Sequence, residues 1–427
     1  MSAYHRVSPE TASATRRGYT DGYDRDAIAV NTEMEGQCGD PFATTWRRLD
    51  GIDALRGLAI LLVLLNHVNM RLFLSHIAYG TALPGLLFST LVWNGQAGVQ
   101  IFFAISGFLI TVTSLRRWTE LSRVSVIDFY RIRFARIVPL LLLLLVVLSI
   151  LDLIHAHNYV ISAKTGGLPS ALQAALTFRI NVLEARKGYL PGSWDVLWSL
   201  SVEETFYLCF PVVCWAVGRR KCLFVAALLT FVVLGPIARA VLDHGNEVWY
   251  EYSYLGGMDA IALGVLTGMI FSFAGFERFP FRLVGLSGIA LIALSLVFRR
   301  VPALVHTGLE MSILAIGTCL LMTASARSGW RSPVVLRPLL NLGRRSYEIY
   351  LTHMFVVFAI FDLFLKCGKP GYGILPLFLA VIVAAGALGS VTARVYSEPV
   401  NEMLRARWRR VRNSVAVERS AEVTVEG

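Results

Sequence analysis

From about residue 50 onward, long apolar runs alternate with short polar segments along the chain. Most runs approach the ~20 residues that an α-helix needs to cross the hydrocarbon core of a bilayer. This pattern predicts an all-α fold, a polytopic transmembrane bundle of about ten spanning helices. The predicted spans are 52–70, 96–115, 137–154, 200–218, 222–242, 254–274, 282–298, 307–325, 346–364 and 373–394.

The segments between and around these spans complete the predicted organisation. The apolar stretch 78–93 is short and contains glycine and proline, so we interpret it as an interfacial or re-entrant piece. We expect a flexible cytoplasmic tail at 1–46, a transmembrane domain at 47–400 and a basic cytoplasmic tail at 401–427. The first tail lacks the apolar run of a cleavable signal peptide.

Composition agrees with a membrane protein. Hydrophobic residues make up 55% of the 427 residues and charged residues 16%, against about 25% charged residues in soluble domains. The net charge of +11 could indicate a nucleic-acid partner, but the basic residues concentrate in alternate loops. The positive-inside rule then predicts a multi-pass protein of the inner (plasma) membrane, with both termini cytoplasmic and no nucleic-acid partner. The six cysteines form no CxxC pair, so no metal site is expected.

The first span carries two polar residues, Arg56 and His67. Eleven residues at 100° each bring them to nearly the same helix face, about 16 Å apart along the axis. Arg56 alone could be a snorkelling arginine, and His67 alone a hydrogen-bonded core histidine. Two polar groups on one stripe favour a lined cavity.

Candidate chemistry also occurs in the second and third spans. Ser106 and Gly107 interrupt an apolar helix, which fits either helix packing or close approach of a ligand. Arg131, Arg133 and Arg136 cluster where the third span begins. They are either ordinary positive-inside anchors or a clamp for phosphate groups, since arginine binds phosphate through paired hydrogen bonds.

Two adjacent carboxylates, Glu203 and Glu204, open the fourth span on its predicted outer side. Because His67 also lies toward the outer half of its helix, we expect Glu203 to meet and orient His67, which suits a general base. Weaker candidates are Asp259 in the sixth span and His353 in the ninth.

Six segments, in order, resemble the acyltransferase 3 family of membrane O-acyltransferases. They are LDGIDALRGLAILLVLLNHV, GVQIFFAISGFLIT, FYRIRFARIVP, WSLSVEETFYLCFP, NLGRRSYEIYLTH and SEPV. The resemblance implies transfer of an acyl group from acyl-coenzyme A (acyl-CoA), bound on the cytoplasmic side, to a hydroxyl. It matches the family's arginine-x10-histidine motif to Arg56 and His67, and its donor-holding arginines to Arg131 and Arg133. One departure is Met258, where many relatives carry an arginine before the aspartate. We also expect no appended esterase-like domain.

These observations predict an O-acyltransferase acting on a glycan or lipid-linked sugar within membrane lipid, with acyl-CoA, expected to be acetyl-CoA, as donor substrate and no permanently bound cofactor. The predicted catalytic residues are His67, Glu203 and Arg56, and His67 either deprotonates the acceptor hydroxyl or transiently carries the acyl group. Those predicted to bind the donor are Arg131, Arg133, Arg136, Ser106 and Gly107. A transporter or flippase whose intramembrane charges form a substrate pathway is the alternative. A structural scaffold is a third class, which the clustered intramembrane charges argue against.

Overall fold

A computed structural model describes residues 49–77, 85–242, 246–272, 280–298, 307–368, 371–408 and 410. The tail predicted at 1–46 lies outside the described residues, as do 78–84 of the predicted re-entrant piece and most of the tail predicted at 401–427.

The described part of the chain is built from α-helices joined by short turns. The helices are α1 (Asp50–Leu74), α2 (Gly85–Val92), α3 (Gly95–Trp118), α4 (Val126–Leu153), α5 (Gly167–Leu176), α6 (Ile180–Lys187), α7 (Gly192–Asp195), α8 (Leu197–Val217), α9 (Lys221–Leu242), α10 (Glu247–Tyr252), α11 (Tyr254–Ser272), α12 (Phe281–Phe298), α13 (Glu310–Ser328), α14 (Arg337–Arg344), α15 (Ser346–Lys366) and α16 (Ile374–Thr392). A π-helical turn, Ala393–Ser397, continues α16 into a helix that reaches residue 408.

The predicted fold class is confirmed. Within the described residues, nine helices are long and apolar enough to cross a membrane. The remaining predicted span corresponds to α12, whose apolar part, Phe281–Val297, is shorter. Helices suit this environment because each satisfies its own backbone hydrogen bonds where no water is present. The protein is therefore a multi-pass helical membrane protein.

Two helices begin before the spans predicted from hydropathy, α4 by eleven residues and α8 by three. Helix α4 begins at Val126, where the Ser125 side chain accepts a hydrogen bond from the backbone N–H of Asp128 at 3.3 Å. Helix α8 begins at Leu197, directly after the short helix α7. Polar residues that hydropathy excluded are therefore helical, which moves Glu203 almost two turns into α8.

Helix α3 lies at the centre of the bundle. In its apolar 18-residue stretch, 72% of the residues are buried inside the protein, against 22% in the corresponding stretch of α9. It packs closely on α11, where a side chain at Gly107 would meet the carbonyl of Ile261 and one at Gly264 the carbonyl of Ala104. Gly107 therefore serves helix packing, because only a residue without a side chain lets these two backbones approach so closely.

A buried ion pair joins α9, α11 and α13. Arg239 Nη2 lies 2.7 Å from Asp259 Oδ2, and the two side chains are 2% and 0% exposed. Ser312 Oγ contacts both partners, at 2.8 Å from Arg239 Nη2 and 2.5 Å from Asp259 Oδ2. Asp259 is thus paired with an arginine from another helix, and the pair holds α9, α11 and α13 together.

Candidate active site

A cavity of about 320 Å³, with several charged groups in a mainly apolar wall, lies among α1, α3, α4, α8 and α15. Its charged lining consists of Arg56, Arg133, Arg136, Glu203 and Glu204. The remaining wall is apolar and aromatic, with a few hydroxyls: Val99, Phe102, Phe103, Ile105, Ser106, Leu109, Thr113, Ile137, Ser199, Leu200, Tyr207, Ser346, Tyr347 and Tyr350. We call it the arginine cavity; three guanidinium groups against two carboxylates favour an anionic guest.

Arg56 projects from α1 into the arginine cavity, and no hydrogen-bond or ion-pair partner is recorded for it in the described part of the chain. An arginine within a span costs about 3 kcal/mol even on the lowest scale. A side chain with only a structural role would be expected to have a carboxylate or carbonyl to offset that cost. Arg56 instead faces the arginine cavity without a direct ion pair to any described residue, and the carboxylates of Asp53, Glu203 and Glu348 act on its charge only from a longer distance.

Glu203 organises one wall of the arginine cavity. Its Oε1 accepts hydrogen bonds from the hydroxyls of Ser106 and Tyr207. The Arg133 guanidinium lies over the Tyr207 ring, 4.1 Å from its centroid. Such stacking fixes the plane of the guanidinium while leaving its N–H groups free for a ligand.

The structure separates the residues predicted to bind the donor. Arg133, Arg136 and Ser106 line the arginine cavity, and Arg136 is exposed. Arg131 is absent from the lining; its Nη1 lies 3.6 Å from Asp128 Oδ1, because two positions along a helix turn a side chain by 200°. Gly107 is also absent, since it faces α11. Arg131 and Gly107 therefore lie outside the arginine cavity, whereas the other three residues predicted to bind the donor line it.

His67 pairs with His353 of α15. The ring centroids are 4.8 Å apart, and His67 Nδ1 lies 3.4 Å from His353 Nε2. His67 Nδ1 is also 2.8 Å from the carbonyl of Val63, and His353 Nδ1 is 2.7 Å from that of Tyr350. Because a carbonyl can only accept, we assign the proton to Nδ1 in both rings. His67 Nε2 then carries a lone pair, and among the described residues no partner is recorded for it.

The expected contact between Glu203 and His67 is not found. Glu203 is held by Ser106 and Tyr207 in the arginine cavity, whereas the neighbour of His67 is His353. The prediction failed because the sequence of a single span does not specify how far it is displaced along its neighbours; in the structure Glu203 lies beside Ser106 and Tyr207, close to Arg133.

Tyr350 separates the arginine cavity from the histidine pair. Its side chain lines the cavity, and its hydroxyl lies 2.6 Å from Ser199 Oγ and 2.9 Å from the carbonyl of Val196. On the other side, its ring centroid is 5.8 Å from that of His353. A single aromatic side chain thus stands between the cavity and the imidazoles.

Fold and site together define a multi-pass helical membrane protein whose interior holds a charged cavity and a histidine pair. The chain belongs to the acyltransferase 3 family: the family's acyltransferase domain matches residues 49–394. The resemblance inferred from sequence motifs is thereby confirmed.

The chain is also similar to bacterial proteins that are named O-acetyltransferases or putative O-acetyltransferases. O-acetyltransferase OatA of Staphylococcus aureus is 22% identical over 379 residues, which cover 83% of this chain and 58% of the relative. A putative O-acetyltransferase of S. aureus is 23% identical over 346 residues, covering 76% of this chain and 53% of the relative. The chain spans a little over half the length of these relatives. No solved structure matches it.

Arg239 is not among the residues singled out from the sequence, and His353 is only a weaker candidate there. Arg239 lies in the segment GPIARAVL of the fifth predicted span, where a charged residue indicates a paired or functional group inside the bundle. His353 is visible as an intramembrane histidine, but its partner is not, because pairing of α1 with α15 is a tertiary property.

Proposed function

We propose that this protein is a membrane O-acyltransferase that moves an acyl group, expected to be acetyl, from acyl-CoA to a hydroxyl of a carbohydrate-type acceptor such as a cell-surface or exported polysaccharide. The names of the similar S. aureus proteins support the acetyl group. The single observation that carries the proposal is the unpaired Arg56 guanidinium in the arginine cavity. Such a charge fits a substrate that brings its own negative charge.

In this proposal the arginine cavity receives the donor. Arg136, exposed on α4, and Arg133, stacked on Tyr207, bind coenzyme A phosphates. A cavity of about 320 Å³ is near the lower end of ligand pockets, ~300–1,000 Å³, and so suits the slender pantetheine arm. The apolar wall contacts that arm, and Arg56, about 16 Å from His67 along α1, faces polar or charged groups of the donor inside the arginine cavity.

The chemistry takes place at His67. For the thioester to reach it, the Tyr350 side chain turns aside and joins the arginine cavity to the histidine pair. His67 Nε2 removes the proton of the acceptor hydroxyl, whose oxygen attacks the thioester carbonyl carbon. The carbon–sulfur bond breaks, the coenzyme leaves as a thiolate and takes up the proton, and the acyl ester remains on the acceptor.

His353 and Glu203 act as positioning residues in this scheme. His353 Nε2, at 3.4 Å from His67 Nδ1, favours the tautomer that leaves His67 Nε2 as the base. Glu203 holds Ser106 and Tyr207, and through Tyr207 the stacked Arg133. Glu203 is thus reassigned from orienting His67 to ordering the donor cavity.

The proposal also gives the bundle a direction. Acyl-CoA is a cytoplasmic metabolite, so the end of the bundle that bears the arginine cavity faces the cytoplasm and His67 lies nearer the opposite side. Basic residues near that end agree with the positive-inside rule, including Arg116 and Arg117 at the end of α3 and Arg344 at the end of α14. The membrane is then the inner, or plasma, membrane.

Replacing Arg56 with Gln tests the proposal. We expect the affinity of the purified protein for acetyl-CoA to fall by about tenfold or more, as for loss of one charged hydrogen bond of ~1.5–3 kcal/mol. Release of coenzyme A should fall with it. Arg131→Gln is the matched control: it removes a guanidinium from the same end of the bundle but outside the cavity, and affinity should change less than about twofold.

Two outcomes contradict the proposal. Arg56→Gln could bind acetyl-CoA like the wild type, or Arg131→Gln could lose as much affinity. If the wild type itself neither binds acetyl-CoA nor releases coenzyme A, enzymatic transfer fails, and a transporter or flippase becomes the better description.

A further inference from the structure

Beyond His67, a second polar cluster lies at the end of the bundle away from the arginine cavity. Arg71 is one helical turn, about 6 Å, further along α1 than His67 and on the same face. Its Nη2 donates to Asn158 Oδ1 at 2.8 Å, and Asn158 Nδ2 donates to Asp362 Oδ2 at 3.2 Å. The cluster therefore joins α1, the segment after α4, and α15.

The two charges of this cluster face each other without touching. Arg71 and Asp362 form no direct ion pair in the described part of the chain; the Asn158 amide bridges them. A pair that served only to fasten the helices would gain most from direct contact. Here one Asp362 carboxylate oxygen has no recorded protein partner, and Arg71 Nε is buried without one. A hydrogen-bond donor on Arg71 and a hydrogen-bond acceptor on Asp362 thus remain available to a ligand side by side.

The cluster is open to solvent on one side. The Asp362 side chain is 35% exposed, and His157, 3.9 Å from it, is 84% exposed. Asn158 has a positive φ of 72°, an uncommon conformation for a residue other than glycine, which turns the segment over the end of α15. The polar groups are thus reachable from outside the bundle.

Aromatic rings surround the charges. The Arg71 guanidinium lies 5.0 Å from the ring centroid of Phe358 and 5.4 Å from that of Phe361. Tyr159 stacks on Phe355 with centroids 5.8 Å apart, and burial together with the Asp362 charge raises the pKa of Tyr159 to about 12. Its hydroxyl therefore stays protonated at neutral pH and remains a donor.

We propose that Arg71, Asn158, Tyr159 and Asp362 form the acceptor subsite, and that it binds a sugar-type polyol through neighbouring hydroxyls one helical turn above His67. A hydroxyl both donates and accepts, so adjacent carboxylate and guanidinium groups satisfy a pair of hydroxyls together. The aromatic side chains offer apolar contact to the C–H faces of a sugar ring. This inference rests on the proposed function, because it supplies that reaction with its second substrate.

The test uses the full chain in two assays. Cells carry each variant in place of the chromosomal gene, and base-labile acetyl esters of their carbohydrate fraction are measured. The same variants are purified and titrated with acetyl-CoA. For Asp362→Asn we expect the ester content to fall by about tenfold or more, with acetyl-CoA affinity within about twofold of wild type. For Arg71→Lys, which keeps the charge but loses the planar set of guanidinium N–H donors, the ester content should fall less.

Asp152→Ala is the matched control. Asp152 Oδ1 accepts from the backbone N–H of Ile161 at 2.7 Å, so this change loosens the same segment without touching the proposed subsite. It should retain most of its ester content. The inference is overturned if Asp362→Asn acetylates normally, if Asp152→Ala loses esters equally, or if Asp362→Asn also loses acetyl-CoA binding.

The two proposals fail in distinguishable ways. If gene deletion leaves carbohydrate esters unchanged while the purified wild type binds and turns over acetyl-CoA, the sugar-type acceptor is wrong and the donor reaction stands. If the purified wild type does not bind acetyl-CoA, the proposed function itself is wrong.

Discussion

Replacement of His67 with Ala should reduce acyl transfer by about 10²–10⁴-fold, the usual contribution of a general base. The change removes the Nε2 lone pair, which has no hydrogen-bond partner among the described residues. It also removes the hydrogen-bond contacts of His67 Nδ1 with Val63 and His353. Membrane insertion and acetyl-CoA binding should survive, because His67 does not line the arginine cavity. Initial rates of coenzyme A release with the purified protein measure the effect.

His353→Gln is the informative companion to His67→Ala. A glutamine oxygen can still accept from His67 Nδ1–H, so the tautomer of His67 is kept and the loss should be about tenfold or less. His353→Leu removes that acceptor and should lose more. If His67→Ala transfers acyl groups at the wild-type rate, or if both His353 variants match the wild type, the assignment of the histidine pair is wrong.

Breaking the Arg239–Asp259 pair should produce the largest effect on stability. The side chains are 2% and 0% exposed, so removing one partner leaves a charge buried without compensation, at a cost of about 3–5 kcal/mol. Arg239→Met and Asp259→Leu should each lower the thermal unfolding midpoint in detergent and the amount of folded protein recovered. Arg239 also bonds the carbonyl of Gly308 at 2.9 Å, so its loss affects a third segment.

The double variant separates charge burial from packing. Arg239→Met combined with Asp259→Leu leaves no unpaired charge, and it should be more stable than either single variant. Ser312→Ala, which removes one hydroxyl from the same network, should cost only about 1 kcal/mol. Single variants as stable as the wild type would contradict the bracing role of this pair.

The spanning helices were predictable because a bilayer imposes a length and a polarity that hydropathy reads directly. The helix starts were not, since capping at Ser125 and helical polar residues before Glu203 leave no apolar signal. The shared stripe of Arg56 and His67 follows from helical periodicity alone. Their separate surroundings do not: one lines the arginine cavity and the other meets His353.

The misplaced contact of Glu203 has a physical origin that the sequence of one span does not reveal. Contacts between helices depend on how far each helix slides along its neighbours, and the sequence of a single span does not contain that offset. Glu203 was therefore placed beside His67 rather than beside Ser106. Gly107, where sequence left packing and ligand approach equally open, proved to face α11. Helix-surface arithmetic could have excluded Arg131, which lies 200° from Arg133.

The groups assigned to the proposed reaction lie in sequence along the bundle axis. The arginine cavity, the Tyr350 side chain, the histidine pair and the Arg71–Asn158–Asp362 cluster follow one another along α1 and α15. Donor and acceptor would thus approach His67 from opposite ends of the bundle. In the proposed function, this order assigns a role both to Arg56 near one end and to the solvent-open polar cluster at the other.

Donor protection of single cysteines tests this arrangement most directly. Thr113 is exposed and lines the arginine cavity, whereas His157 lies in the opposite cluster. Thr113→Cys and His157→Cys are each made after Cys38, Cys209, Cys222 and Cys367 are replaced by alanine, and reaction with a polar maleimide is followed. Acetyl-CoA should slow labelling at position 113 by about tenfold and leave position 157 unchanged. Protection at 157 alone, or at neither position, would contradict donor binding in the arginine cavity.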